Sequence, residues 1–535
     1  MAKHTPNNPG SPALIAAQHM QAGRLQEAEA IYRQLLAEHP AHHEAMFNMG
    51  ILLNHQRNFD DAIGYLRKVL ELTPDMVEAH VNLGNVYHQK KDFPAALACF
   101  RQALSLRPRS FESHNNVGNV LKEQGDFAGA LNSYQKALAL KPGSAIVFNN
   151  IGETYRSMGR TEEATTHFRK ALAVKPDFAQ AQWNLSLVFL LAGDFANGLP
   201  LYEKRLVPEV LRQSGATGAD TLAGRFSSKP RWKGESLQGK TLVVWTEQGY
   251  GDNLMMMRYL PLLKEKGAAS VIIYCHQKLM KIMLTQIKLV VDQTTPLALD
   301  NFDVQCPMMS LPYVFGTTLE SIPRTIPYLG APAASSAKWR SQLEKFNGMK
   351  VGLAWAGGKD LQKDALRSIA LRQFAPLVAL DGVQYVSLQK DEAAQQLKQQ
   401  DWRILDWMEA CDDFLDTAAL IDNLDLVITV DTAIAHLAGA LGKPVWMLNR
   451  LDTDWRWMKD REDSPWYPSM RIFRQTTPHD WSKVIEAVTG ELGKLASSKY
   501  GATKMSASEW EKAVASANQA LAVGKKKGIF GKLFG

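Results

Sequence analysis

A spacing of 34 residues dominates the first part of the chain and restricts what it can fold into. Gly50, Gly84, Gly118 and Gly152 recur at that interval, as do Ala28, Ala62, Ala96, Ala130 and Ala164. Pro40, Pro74, Pro108, Pro142 and Pro176 keep the same phase, and Tyr32, Leu66, Phe100, Tyr134 and Phe168 each follow an alanine by four residues. Self-similarity at a fixed period means stacked supersecondary units, because a single unit cannot bury its own apolar face. Each column has a physical role in a pair of antiparallel helices. Small Gly and Ala allow close approach, the large side chain fills the remaining gap, and Pro stops the second helix.

This pattern resembles the tetratricopeptide repeat and covers about residues 9 to 212. The expected division is a disordered start (1–12), a repeat superhelix (13–212) and a Ser/Gly/Ala/Thr-rich linker (213–232). The last unit is degraded: Ser186 and Gly198 replace the Gly and the Ala, as in a capping repeat that faces another domain.

A further column reaches beyond fold. Asn48, Asn82, Asn116, Asn150 and Asn184 lie two residues before each glycine site, on the first helix of every unit. An amide offers both a donor and an acceptor, so a ladder of them can hold the backbone of an extended peptide without reading its sequence. The ladder resembles one in the repeat arm of protein O-linked N-acetylglucosamine transferases, which implies an acceptor-peptide groove. The alternative is structural, since Asn is common at this repeat position. His80 and His114 read as ordinary groove polar groups.

After residue 232 the periodicity changes. The short apolar strand Leu242–Trp245 is followed by a glycine turn, a helical stretch from Asn253 to Lys266 and a strand from Ser270 to Tyr274; this β-α-β order predicts a parallel sheet. Pro-rich sequence from Ile322 to Pro332 closes that lobe. A second series begins at Lys350–Trp355 and continues with strands at Gln384–Leu388, Asp425–Val430 and Pro444–Leu448. The expected fold class is therefore an α-solenoid followed by two α/β Rossmann-like lobes, which resembles the GT-B arrangement. The lobes are assigned to 233–335 (acceptor side) and 336–490 (nucleotide-sugar donor side), with a C-terminal helix and tail over 491–535.

Two strand-to-helix turns are candidate sites, because ligands of such sheets bind at the carboxyl ends of strands. The first is Thr246-Glu247-Gln248-Gly249-Tyr250-Gly251-Asp252. Asp252 suits a general base that takes a proton from an attacking hydroxyl. Glu247 competes for that role, and a plain helix cap is the alternative for Asp252. The second runs from Asp425 to Pro444 and contains Asp431, Thr432, Ala433 and His436. Its helix start, with the Thr432 hydroxyl, makes an anion site, and His436 could steady a leaving phosphate or be a satisfied core residue.

These two motifs resemble the ADP-heptose:lipopolysaccharide heptosyltransferase family (glycosyltransferase family 9-like) over about residues 240 to 490. The resemblance implies a base at Asp252 and donor phosphate contacts from Asp431, Thr432, Ala433 and His436. It also implies a donor contact at Arg367, where the family carries lysine; glycine in the family is Ala433 here. Gln389 and Lys390, at the end of a donor-lobe strand, are candidate nucleotide contacts or a solvated loop. The aromatics of Trp455-Arg456-Trp457 and of Trp466-Tyr467 are either packing or lie near the site. Asp452-Thr453-Asp454 imitates a metal motif but follows a late strand, so no metal and no cofactor is expected beyond a nucleotide-sugar co-substrate.

Composition narrows the partners. A formal charge of +7 suits anionic ligands, but no basic stripe interleaved with aromatics supports nucleic acid. The start lacks the apolar core of a secretory signal, and no apolar run approaches the roughly 20 residues of a membrane helix. The expectation is a cytoplasmic protein with four reduced thiols. Ser508 is the expected cap of a helix from Glu509 to Val523. Beyond it, Lys525–Lys527 and Lys532 alternate with Ile529, Phe530, Leu533 and Phe534, which suits weak contact with the inner membrane face or a solubilising end. Repeats joined to such an enzyme resemble bacterial flagellin glycosyltransferases. That implies a protein acceptor, flagellin among the candidates, modified on Ser or Thr hydroxyls. A lipid-linked or polysaccharide acceptor and a non-catalytic scaffold are the competing expectations.

Overall fold

A computed structural model describes residues 11–214, 219–358, 364–500 and 505–531. The chain divides into two compact units, Met1–Ala181 and Gln182–Gly535. The division falls inside the stretch assigned above to the repeats, so the degraded last unit belongs largely with the enzyme-like part.

The first unit is a run of antiparallel helix pairs. His43–His55 pairs with Phe59–Leu72, Val77–Gln89 with Phe93–Leu106, Phe111–Glu123 with Phe127–Leu140, and Ala145–Ser157 with Thr161–Val174. The glycine column is explained by contact. A β-carbon added at Gly84, Gly118 or Gly152 would fall 2.6, 2.5 or 2.6 Å from a ring carbon of Phe100, Tyr134 or Phe168. Those rings and the column alanines are fully buried. Each second helix ends two residues before its proline, at Leu72, Leu106, Leu140 and Val174. Asp92 and Asp126 cap second helices through the amides of Ala95 and Gly129, satisfying donors that a helix start leaves open. Ser11 and Pro12, expected in a disordered start, instead form the cap and first residue of the helix Pro12–Gln21.

The second unit holds two parallel sheets. Strands β1 (Thr241–Trp245), β2 (Ser270–Cys275), β3 (Leu289–Asp292) and β4 (Val304–Pro307) form the first, in order β3-β2-β1-β4. The second contains β5 (Met349–Ala354), β6 (Val383–Ser387), β7 (Ile404–Asp406), β8 (Leu426–Val430), β9 (Val445–Asn449) and β10 (Met470–Arg474), in order β10-β9-β8-β5-β6-β7. This is a helical solenoid followed by a parallel-sheet α/β region, consistent with a GT-B-like fold.

Both sheet faces are covered, as parallel sheets require. On β1, Leu242 and Val244 join one core while Val243 and Trp245 join another. On β5, Met349, Val351 and Leu353 pack with Val484, Ile485, Val488 and Leu492 of the helix Ser482–Tyr500. No helix among the described residues is long and apolar enough to cross a membrane. All four cysteines are free thiols.

Two sequence expectations change here. The stretch read as a linker contains the helix Ala219–Arg225, and Leu222 and Phe226 pack against Val243, Trp245 and Tyr274. Trp232 is buried as well, so these side chains dock this stretch on the first sheet despite its polar flanks; residues 215–218 lie outside the described residues. The last helix, Ala507–Gly531, is capped by Ser506 and not by Ser508. Ser506 Oγ accepts from the amide of Glu509, whose carboxylate accepts from the Ser506 amide at 2.9 Å, a reciprocal capping box. The side chains of the basic tail lie outside the described residues, as do residues 1–10.

Candidate active site

The site begins where two short helices touch. Tyr250–Met256 follows β1, and Ala433–Ala440 follows β8. A β-carbon at Gly251 would lie 2.5 Å from Cδ2 of His436 and 3.3 Å from Cα of Ala433. Only glycine lets the two motif turns meet this closely, so the two sequence candidates form one site at the carboxyl ends of two different sheets.

Asp252 is the third residue of its helix. Its carboxylate accepts the Gly249 amide at 2.9 Å and forms an ion pair with the Arg456 guanidinium. Burial raises its pKa, opposed by Arg456 and Arg367, while Asp454 raises it further. The preceding Gln248 is a non-glycine residue at φ 59°, a conformation that costs of order 1–3 kcal/mol and clusters at functional sites.

Arg456 lies in the turn Trp455–Trp457 after β9. It reaches Asp252 and Asp454, the latter at 2.6 Å, and donates to Gln248 Oε1 at 3.1 Å. Its plane lies 4.8 Å from the centre of the Trp455 ring, and its Nε is buried without a partner among the described residues. A guanidinium between two carboxylates is fixed by charge-assisted bonds to both.

Glu247 faces elsewhere. Arg205 grips it through Nε at 3.0 Å and through a second nitrogen at 2.5 Å, and its side chain is 2% exposed. That bidentate pair makes it a support for the turn instead of a base. Tyr202 exchanges hydrogen bonds with Gln248, so residues of the helix Phe195–Tyr202 and of the turn after it hold two successive positions of the Gly-Asp motif.

On the second helix, Thr432 is the cap, accepting from the Ile434 amide at 3.3 Å and sharing a 3.1 Å bond with Thr429. Asp431 is raised in pKa by burial and Asp454 and lowered by Arg367. His436 is 3% exposed and its Nδ1 lies 2.9 Å from the Tyr467 hydroxyl, with the Trp457 ring centre at 5.0 Å. Burial, Arg456 and Arg258 push its pKa down to about 3, so the ring is neutral. Arg258 binds the Trp466 carbonyl at 2.7 Å beneath the Tyr467 ring.

The tetratricopeptide family models match residues 15–77, 75–143, 109–177 and 149–210. The model for glycosyltransferase family 9 (heptosyltransferase) matches residues 410–490, the stretch that carries Asp431 to His436, Arg456 and Tyr467. The chain carries tetratricopeptide repeats and a family 9 glycosyltransferase domain. A curated relative is Protein FlbA of Caulobacter vibrioides, 29% identical over 354 residues, covering 60% of this chain and 56% of that one. The chain thus spans little more than half the length of that relative. Solved repeat proteins are also similar: a thermophilic TPR protein of Thermus thermophilus at 23% identity covers 34% of this chain and 97% of its own, TM-score 0.30. A tetratricopeptide repeat protein of Parabacteroides merdae at 18% identity covers 39% of this chain and 84% of its own, TM-score 0.36.

Around the family 9 domain the remaining candidates divide. Arg367 ends the helix Asp364–Arg367 and acts electrostatically on Asp252, Asp431 and His436; its Nε is 3.1 Å from Asp364. Ala433 opens the second helix. Gln389 is committed to the backbone: it accepts from the amides of Trp355 and Ala356 at 3.0 and 2.9 Å and donates to the Ala356 carbonyl. Lys390 donates to the Cys411 carbonyl. Both tie loops together in place of reaching into the site.

In the repeat unit, Asn116 donates to Asn85 at 3.0 Å, and Asn150 donates to Asn115 and Asn119 at 2.9 and 3.1 Å. Asn82 bonds its own helix at the Glu78 carbonyl, and Asn48 is partly exposed. Part of the ladder therefore stitches neighbouring repeats together. Asn184 is 1% exposed and lies in the second unit, so it offers no open groove position. His80 and His114 each bond a preceding proline carbonyl, Pro74 and Pro108.

Sequence reasoning missed Arg456, Asp454, Arg205, Tyr202 and Arg258 as site or support residues. The available signal was a charged residue inside a run of tryptophans, Asp454-Trp455-Arg456-Trp457, since a buried charge demands a partner.

Proposed function

We propose that the protein is a glycosyltransferase that moves a sugar from a nucleotide-sugar donor to a hydroxyl of a protein captured by its repeats. The observation that carries this reading is the approach of Gly251 to His436, which joins a carboxylate and an anion-binding helix start in one site. Asp252 takes the proton from the acceptor hydroxyl as its oxygen attacks the anomeric carbon. The bond from that carbon to the diphosphate breaks, and the nucleoside diphosphate leaves with the electron pair. Attack opposite the leaving group inverts the anomeric centre. The first amides of the helix Ala433–Ala440, the Thr432 hydroxyl and Arg367 receive the diphosphate. In the tautomer in which Tyr467 donates to Nδ1, neutral His436 carries its proton on Nε2, the nitrogen 3.2 Å from the Gly251 β position, and offers it to the leaving phosphate. These groups stabilise the developing negative charge.

The amides of the repeat groove left open by inter-repeat bonding are the proposed contacts for an extended acceptor segment, with flagellin the candidate to try first, in the cytoplasm. The heptosyltransferase description of the matched family favours one second reading, a lipid-linked or polysaccharide acceptor. The test incubates the full chain with ADP-, GDP- and UDP-linked sugars, with flagellin and with lipid-linked glycan in parallel, and follows release of free nucleoside diphosphate and mass gain of the acceptor. Mass gain on flagellin that disappears in Asp252→Asn supports the first reading. Gain only on the glycan supports the second. No binding of any nucleotide by calorimetry would make the chain a scaffold.

A further inference from the structure

Arg456 occupies an unusual position for a buried cation. Three of its contacts come from two separate turns: Asp252 and Gln248 from the turn after β1, and Asp454 from the turn after β9. Its side chain is 9% exposed, and its Nε has no partner among the described residues. Asp252 receives two fixed donors, the Gly249 amide on one oxygen and Arg456 on the other. A carboxylate held this way cannot rotate freely, and its charge is balanced by a group that the rest of the turn also holds.

We propose that Arg456 is a positioning residue for proton transfer: bridging Asp252 and Asp454, it fixes the orientation of the Asp252 carboxylate and favours its ionised form over the acid. This rests on Asp252 as the base. Without the guanidinium, burial and the nearby Asp454 would both favour the protonated acid, a form that cannot act as a base. The charged and titratable groups facing Asp252 are Arg456, Asp454, Arg367 and Tyr202, with neutral His436 across Gly251. Among the described residues only Arg456 is in direct ion-pair contact with it, so removing Arg456 shifts the balance most. Gln248, held by Tyr202, supports the guanidinium from the side.

The test reads Asp252 directly. Infrared difference spectra of the full chain between pH steps report the carbonyl stretch of protonated carboxyl groups, and the Asp252 band is the one that vanishes in Asp252→Asn. Expected is an upward shift of the Asp252 titration by about 1–3 pH units from wild type to Arg456→Met. The shift should be smaller in Arg456→Lys, which keeps the charge. Asp454→Asn supplies an opposite sign: loss of that negative neighbour moves the Asp252 titration downward. Circular dichroism checks that each variant folds, and the Lys and Asn variants carry the test if the Met variant does not. An Asp252 titration unchanged in Arg456→Met, or unmoved in both Arg456→Lys and Asp454→Asn if the Met variant fails to fold, overturns the role of Arg456. Full nucleotide-sugar turnover by Asp252→Asn overturns the base assignment beneath it, so the two failures are distinguishable.

Discussion

Asp252 and Arg456 form an ion pair between a turn of the first sheet and a turn of the second, with side chains 17% and 9% exposed. Arg456 has Asp454 beside it in its own turn, but Asp252 gains its ion-pair partner only when both sheets have formed, so its electrostatics belong to the assembled unit. Breaking such a pair by removing one partner leaves an uncompensated buried charge, which is far more costly than losing a surface bridge.

Asp252→Asn keeps the shape of that turn and its acceptor for the Gly249 amide while abolishing the proposed base. Sugar transfer in the proposed reaction is expected to fall by about 10²–10⁴-fold, with nucleotide binding retained. Single-turnover kinetics beside calorimetry check this. Equal losses in both would mean the variant had damaged the site as a whole.

Glu247→Gln separates support from chemistry. The bidentate grip of Arg205 on Glu247 is buried, but Arg205 also pairs with Glu203 at 2.7 Å, so the substitution should cost less than the about 3–5 kcal/mol of an orphaned buried charge. Activity per folded molecule should change far less than in Asp252→Asn. Urea unfolding with an activity assay on the same samples decides the matter.

His436 makes acid stability measurable. Its pKa falls from the ordinary histidine value of 6.5 to about 3 in the folded chain, so between these values the unfolded state binds the extra proton. Stability therefore rises with pH across that window and is lost as pH falls from about 6.5 toward 3, by up to about 1.4 kcal/mol per pH unit. Replacing His436 by Asn should remove one proton from the pH slope of the unfolding midpoint. An identical slope in the two proteins would contradict the buried neutral ring.

Gly118→Ala would set a methyl 2.5 Å from the Tyr134 ring. Overpacking of this kind costs about 1–3 kcal/mol. Gly143→Ala, with nothing within 4 Å of its β position, is the control and should leave the melting temperature nearly unchanged.

Asn150→Ala should destabilise the repeats by about 1–2 kcal/mol, since it breaks bonds to Asn115 and Asn119. Asn82→Ala, whose amide bonds its own helix, should cost less in stability while weakening peptide capture more if the ladder reads backbone. Thermal melts and peptide titrations on the two variants compare the two effects.

Much of the fold is legible because its signals are local. The glycine, alanine, bulky and proline columns record contacts that recur from repeat to repeat, and strands such as Leu426–Val430 are largely apolar runs. Strands β3, β4, β7 and β10 carry weaker signals. β7 has three residues, β3 is half-exposed, and β10 mixes two arginines into its pattern. The stretch around Ala219–Arg225 reads as a linker because its flanks are polar, while Leu222 and Phe226 supply the docking area.

The sequence by itself determined the repeats, the order of α/β units and the two motif turns, since period, apolar runs and turn residues act over a few neighbours. Only the tertiary structure decided which charges meet. Glu247 and Asp252 look equivalent in one short turn, yet Arg205 claims the first and Arg456 the second. Gln389 and Lys390 resemble ligand contacts until the loops they tie are present. Charge pairing at a few ångströms depends on which distant turns fold together, and no local pattern carries that information.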